Sequence, residues 1–534
     1  MINLSEGSKT KLIGLILIIV IIAGVAAGVY YFYYARKAPT KLTIITSAPL
    51  VRAIYYYEED VETELGFELE VVEVPYGEMY EKVMTDVQTG AGQFDIFLIP
   101  NDWIGDLATG GYVIQLDDYI EADDPALDDY LPHIREKLMK WGGHYYCLAF
   151  DGDCHILFYR KDLWENTTIQ QMFEDQYGYP LPDPPKTWDQ VIDCAEFFNG
   201  WDWDGDGEVE YGIGISCKRH AQSPWTAIDF AAPYTVIPGA PSKYKGVLYF
   251  DPETMDPLVN TPGWIRGFEK FSEVIKHGPP GIKDFDVSDV RARFTRGELA
   301  MGIDWTDMGP LSIAEDSVVA GKVTFAMLPG SMEVYDRETG TWKTLTEPNQ
   351  IAILNFGGWS FFISKYCKNP ELAYKYIKWM VMPEHSNYLA IAKGETGVNI
   401  FRYSQFYDEN PDLWLEVGWD EASAKQYCNI IKSIYENPYA VWDIRIPGFQ
   451  RFWDALDTAM SEIAAGTKTP SDAAAWLYDE WNSIIEDLGK DDLLGYYRED
   501  LGLPPLGSFV SQATMPLIPS LVTADVSLTT GVKF

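Results

Sequence analysis

Residues 202–210 read DWDGDGEVE, with acidic side chains at Asp202, Asp204, Asp206, Glu208 and Glu210. Carboxylates at alternate positions, with a glycine at the sixth place for the sharp turn, can wrap oxygen ligands around a calcium ion. These five residues are candidate metal ligands, and Ca2+ in a structural role is the candidate cofactor. The twelfth position is Ile213 rather than glutamate, so the loop is not a full EF-hand. The alternative is a plain acidic turn between a helix and a strand.

A second pattern pairs carboxylates with tryptophan. Asn101-Asp102-Trp103, Asp151-Gly152-Asp153 and Asp304-Trp305 each follow or end an apolar run, and Trp225, Trp359 and Trp442 stand in comparable places. Aromatic faces pack on the C–H face of a sugar ring while carboxylates accept from its hydroxyls. In open α/β sheets, ligands bind at the carboxyl ends of strands. For any single tryptophan, core packing is the simpler reading. The recurrence is what points to a saccharide site.

Other chemistries lack their residues. There is no GxSxG elbow, P-loop or GxGxxG, and none of the six histidines has HxxxH spacing. The 80 acidic residues make carboxylate pairs too common to signal a glycosidase. A formal charge of −39 argues against a nucleic-acid partner, whose phosphates need a basic surface. The six cysteines are dispersed without CxxC, so they are either small buried thiols or, outside the cell, disulfide partners, Cys147 and Cys154 being the closest pair.

The elements that must position these residues follow from periodicity. Residues 41–47 and 67–73 alternate as strands, and 94–99 is a continuous apolar strand of the buried, parallel kind. Helical stretches lie between them at 55–65 and 79–89, which is the α/β signature. Further strands are expected near 145–150, 156–159, 211–216, 299–304, 324–328 and 359–364. Helices are expected at 187–198, 264–277, 287–296 and 370–382, with a helical stretch at 448–488 split at 466–470. From residue 495 onward the periodicity fades, and a loose tail is expected.

Ahead of all this stands LIGLILIIVIIAGVAAGVYYFYY at residues 12–34, an uncharged run long enough to cross a bilayer once. It is longer than the core of a signal peptide, which favours a retained anchor. Flanking Lys and Arg are nearly balanced, so charge alone does not orient it.

In order along the chain, KLTIITS, QTGAGQFDIFLIPNDWIGDLATGGYVIQLDDYI, YYCLAFDGDCHILFYRKDLWE, PKTWDQVID, DGDGEVEYGIGIS, FTRGELAMGIDW, FGGWSFFISKYCKNPELAYKYIKWM, TGVNIFR and PGFQRFWDALDTAMSEIAAGTKTPSDAA resemble the extracellular solute-binding proteins of ABC importers, in the maltose-binding-like class. The resemblance implies an α/β, two-lobed periplasmic-binding-protein-like fold with a hinge and an interlobe cleft, here preceded by one N-terminal transmembrane helix. It implies no catalysis. It implies a saccharide ligand, permease subunits as partners, and a body on the extracellular side of the membrane. The chain would cross between lobes near 150–153, 303–305 and 355–359. Lobe 1 would hold 41–150 with 305–355, lobe 2 would hold 151–304 with 356–490, and 491–534 would be a tail. Residues 1–11 would be cytoplasmic, with 35–40 a linker. By position in the motifs, the family's ligand contacts fall on Ser47, Asp102, Trp103, Asp153, Trp225, Asp304, Trp305, Gly358 and Trp359, and more loosely on Arg402 and Trp442. The apolar anchor stands where a lipidated cysteine is usual, a pattern seen in archaeal members. A ligand-sensing surface receptor subunit, or a carrier of a peptide or polyamine, remains the alternative.

Overall fold

The computed structural model describes residues 40–506 apart from 206, 241–246 and 395. The expected anchor at 12–34 lies outside the described residues. Among those described, no helix is long and apolar enough to cross a membrane.

Eleven strands carry the argument: β1 (Thr40–Thr46), β2 (Phe67–Glu73), β3 (Ile96–Pro100), β4 (Cys147–Ala149), β5 (His155–Arg160), β6 (Tyr211–Gly214), β7 (Leu299–Trp305), β8 (Val323–Ala326), β9 (Ile353–Leu354), β10 (Trp359–Ile363) and β11 (Val441–Trp442). The helices used below are α1 (Ala48–Tyr55), α2 (Tyr76–Thr89), α3 (Trp188–Phe198), α4 (Ser223–Thr235), α5 (Pro262–Val274), α6 (Val287–Thr295), α7 (Pro370–Val381), α8 (Glu421–Tyr435), α9 (Phe449–Ala464), α10 (Pro470–Leu488) and α11 (Lys490–Asp500).

Two sheets form the two lobes. The first runs β2-β1-β3-β10-β4, and the second runs β8-β5-β7-β6. In the first, β1 pairs parallel with β2 and β3, while β10 returns antiparallel, Trp359 opposite Pro100. β3 is buried at every position, as a strand covered on both faces must be. Around the second sheet, α4 and α5 pack on each other, with α9 and α10 against them. α3 starts where expected, with a capping box between Thr187 and Gln190.

The crossings differ partly from expectation. The chain leaves the first sheet after Ala149 and enters the second at His155, as expected. It returns after Leu354 to β10, also as expected. At 303–305 it does not cross, because β7 and β8 both belong to the second sheet. The expected division of the second half is therefore corrected: β8 lies in lobe 2, whereas β10 and α7, which packs on it, lie in lobe 1. Helices α8 to α10 do belong with lobe 2. Apolar alternation marks a strand but not the sheet it joins, which long-range pairing decides. A third passage runs through β11, which pairs parallel with β9 between the lobes.

Close backbone contact holds the crossings together. At Gly358 (φ +78°) a methyl group would stand 2.1 Å from the Asp151 carbonyl oxygen, and at Gly152 one would stand 2.1 Å from that of Ile400. Only glycine fits either place.

The expected tail is also corrected at its start. Residues 490–500 form α11, which buries Leu493 and Tyr497, with the Tyr497 ring 5.4 Å from Phe250. Arg498 and Asp500 are buried with them, so polar residues make up half of the buried face and hide its periodicity. All six cysteines are unpaired thiols, five of them buried.

Candidate functional site

Between the sheets, aromatic side chains from both lobes and from the crossings meet in one cluster. Trp225 on α4 lies 5.6 Å from Trp305 at the end of β7, 5.2 Å from Phe356 and 5.3 Å from Trp453 on α9. From lobe 1, Tyr76 at the start of α2 lies 6.2 Å from Trp225 and 6.3 Å from Trp359. Phe356, on the second crossing at φ 65°, lies 5.1 Å from Trp359 and 5.6 Å from Trp305. These rings therefore bridge the two lobes.

Polar groups border the cluster. Asp443, just past β11, accepts from Trp225 Nε1 (2.7 Å), the Phe356 amide (2.5 Å) and Tyr249 Oη (3.3 Å). Burial pushes its carboxyl up to about 7. Asp102 sits in the turn Asn101–Trp103 that ends β3. It is buried, and its Oδ2 has no hydrogen-bond partner. Burial, and then the Asp443 charge, raise its pKa well above the usual carboxylate range, while Arg445 opposes the rise. An acceptor without a donor in a buried place costs about 1–3 kcal/mol unless something supplies the donor. Behind Trp305, the His155 ring lies 3.9 Å away at a tilt of 54°, and its Nδ1 is 2.7 Å from Asp229 Oδ2.

The sequence-predicted residues divide. Trp225, Trp305 and Trp359 meet in the cluster, and Asp102 stands at its edge. Ser47, buried before α1, makes no cap bond with its side chain. Gly358 serves backbone approach. The others make polar or packing contacts of their own. Asp304 is gripped by Arg291, whose Nη2 lies 2.9 Å away and also reaches Asp307 at 2.5 Å. Asp153 accepts from Asn399 Nδ2 (2.7 Å), which also reaches Asp151, so both carboxylates brace the first crossing. Arg402 stacks 3.8 Å from Tyr130 and donates to the carbonyls of Pro125 and Ala126. Trp442 donates to Asp500 at 2.8 Å, and Trp103 packs 5.1 Å from Tyr80 inside lobe 1.

Sequence reasoning missed Tyr76, Phe356, Asp443 and Trp453. Asp443 had a usable signal, since it follows Trp442 at the end of β11, where successive side chains of an extended segment face opposite ways.

Open hollows lie elsewhere. One of about 690 Å3 is lined by Thr43, Glu70 and Glu78, and one of about 560 Å3 by Phe325, Gln426 and Ser433. Each lies on a single lobe and neither is lined by the rings that bridge the lobes, so we place the site between the lobes.

Residues 49–385 match the family described as bacterial extracellular solute-binding protein. The chain belongs to that family. A mannitol-binding protein of Pseudomonas aeruginosa is 27% identical over 259 residues, 48% of this chain and 52% of that protein. A maltotriose-binding protein of Pyrococcus abyssi is 24% identical over 307 residues, 56% and 53% respectively. The chain thus spans about half the length of these curated relatives. Among solved structures, a solute-binding protein of Agrobacterium radiobacter in complex with ribitol superposes with a TM-score of 0.65 at 22% identity, covering 83% of this chain and 98% of the other. Maltose-bound MalE3 of T. maritima gives 0.64 at 19% identity, covering 83% and 100%. These likenesses establish the two-lobed α/β fold.

The raised carboxyls at the site give this solute-binding protein a pH signature. A carboxyl whose folded pKa lies above its unfolded value of about 4 binds more protons in the folded state between the two values, so stability falls as pH rises through that window. For Asp443 the window runs from about 4 to about 7. Urea unfolding at pH 5 and pH 8 is expected to show this fall. It should be smaller in Asp102→Asn, which removes the other raised carboxyl of the pair.

Proposed function

We propose that this protein captures a saccharide or polyol between its lobes and delivers it to the permease of an ABC importer, tethered to the outer face of the membrane by residues 12–34. The observation that carries the reading is the interlobe ring cluster beside a buried carboxylate with an unpartnered oxygen. The rings offer apolar faces to sugar C–H groups, and Asp102 Oδ2 is open to a ligand hydroxyl. Names of relatives, mannitol- and maltotriose-binding, agree with that chemistry. Opening at the crossings would part Tyr76 and Trp359 from Trp225 and Trp305, admit the ligand between them, and let closure report occupancy to the transporter.

A thermal-shift screen of the full chain in detergent tests this, using mannitol, ribitol, maltose and maltotriose, with peptides and polyamines in parallel. A ligand bound only by the folded state raises the melting temperature. A rise with a saccharide or polyol, lost in Asp102→Ala, is expected. A rise with peptides or polyamines alone would overturn the ligand class.

Calcium belongs to the same proposal in a structural role. Ligand oxygens of Asp202, Asp204 and Glu210 converge within 4.8 Å of one another, a spacing that suits one ion. Glu208 is exposed and stands outside this group, and Asp206 lies outside the described residues. Calcium at a hundredfold its dissociation constant would stabilise the fold by about 2.7 kcal/mol. EDTA is expected to lower the melting temperature, calcium to restore it, and Asp204→Asn to abolish the difference.

A further inference from the structure

We infer that Arg445 is a positioning residue for Asp102, and that the C-terminal helix α11 holds Arg445 in place through Asp500. The inference rests on the reading of Asp102 as the ligand-facing carboxylate, but its test needs no ligand. Both residues lie beyond the stretch 49–385 that matches the family.

The buried Arg445 guanidinium is shared between three parts of the chain. Nε and Nη2 donate to Asp500 Oδ1 at 3.1 and 2.6 Å. Nη1 donates to Asn101 Oδ1 at 3.1 Å and to the carbonyls of Lys137 and Leu138, while Nη2 also reaches that of Lys140. Asn101 is the residue before Asp102 in the same turn, and its own Nδ2 donates to the Leu138 carbonyl. Backbone contact supports the same alignment, since a methyl group at Gly105 would stand 1.9 Å from the Arg445 carbonyl oxygen. One guanidinium thus fixes the turn that carries Asp102 against the third crossing.

Its anchor is α11. Asp500 also accepts from Trp442 Nε1 at 2.8 Å, so one carboxylate holds two side chains of the crossing segment. α11 is itself tied to lobe 2 through the Tyr497–Phe250 contact and the bond from Arg498 to the Pro252 carbonyl. A buried guanidinium needs such a partner, because an uncompensated charge inside a protein costs several kcal/mol.

The charges acting on Asp102 are Asp443, Arg445 and Asp500, and Tyr76 and Tyr249 also interact with it. Lys137 lies near Arg445. Arg445 is the cation that favours the ionised form of Asp102, and its placement sets that carboxyl's proton affinity.

The test is a 13C titration of aspartate carboxyl carbons in the full chain in detergent micelles, with the Asp102 signal assigned by Asp102→Asn. In Asp500→Ala, Arg445 loses its anchor, and the Asp102 midpoint is expected to rise by a pH unit or more, a tenfold gain in proton affinity. Arg445→Lys, which cannot hold Asn101 and Asp500 together, is expected to raise it too, and decides the matter if Asp500→Ala fails to fold. Lys490→Ala, which removes an exposed ion pair of α11 with Asp256, should leave it unmoved. Loss of the Asp500 charge alone would lower the midpoint. A fall or no change in Asp500→Ala, or an equal rise in Lys490→Ala, overturns the inference.

Discussion

Trp225→Ala is expected to cost about 3–5 kcal/mol of stability, the usual range for emptying a large aromatic site in a packed core. The side chain is fully buried. Its ring meets Trp305, Phe356, Trp453 and Tyr76, so the cavity would open where lobe 1, lobe 2 and the second crossing converge. The substitution also removes the Nε1 donor to Asp443, leaving a buried carboxylate short of one partner. Trp225→Phe separates the two losses, because it keeps a ring and loses only the donor. Its expected cost is about 1–3 kcal/mol, from the unsatisfied acceptor. Urea denaturation at pH 7 reads both values. On the proposed function Trp225→Ala also loses the saccharide-induced rise in melting temperature, since the cluster would no longer present its faces.

The second large effect is away from the cluster. Arg291→Met should cost about 3–5 kcal/mol, because it strands buried Asp304 beside Asp307. Arg291 on α6 reaches both carboxylates of the segment that ends β7. Asp304→Asn, which keeps one acceptor for the guanidinium, is expected to cost less. It also separates structure from recognition. If Asp304 contacted the ligand, Asp304→Asn would weaken binding far more than folding. The geometry predicts the reverse, with the urea midpoint lowered and ligand affinity within about threefold, a difference of less than 1 kcal/mol.

Much of the architecture was legible because it is local. The continuous apolar run that became β3, the capping box at Thr187 and the break between α9 and α10 are written in adjacent residues. Which sheet a later strand joins was not legible, since β8 and β10 read alike and only pairing with β5 or β3 separates them. α1 was missed because its eight residues are too few to show a helical period. At the site, the Asp–Trp pattern found the right neighbourhoods but could not choose between the pair. In a strand, neighbours face opposite ways, so Trp305 joins the cluster while Asp304 turns to Arg291. The same rule sends Asp443 to the cluster and Trp442 to Asp500. Arg402 read as a ligand contact from the motif, and in the structure its two terminal nitrogens donate to the carbonyls of residues 126 and 125. Phe356 had no signal, because its place depends on a crossing with a positive φ.

Calorimetric titration of the full chain in detergent with maltotriose and mannitol, repeated for Asp102→Ala and Asp304→Asn, tests the central claim most directly. The account predicts saturable binding of at least one of the two by the wild type, a dissociation constant raised tenfold or more in Asp102→Ala, about 1.4 kcal/mol, and little change in Asp304→Asn. Binding that survives Asp102→Ala unchanged but fails in Asp304→Asn would contradict it. So would the absence of heat with either ligand alongside saturable binding of a peptide or polyamine.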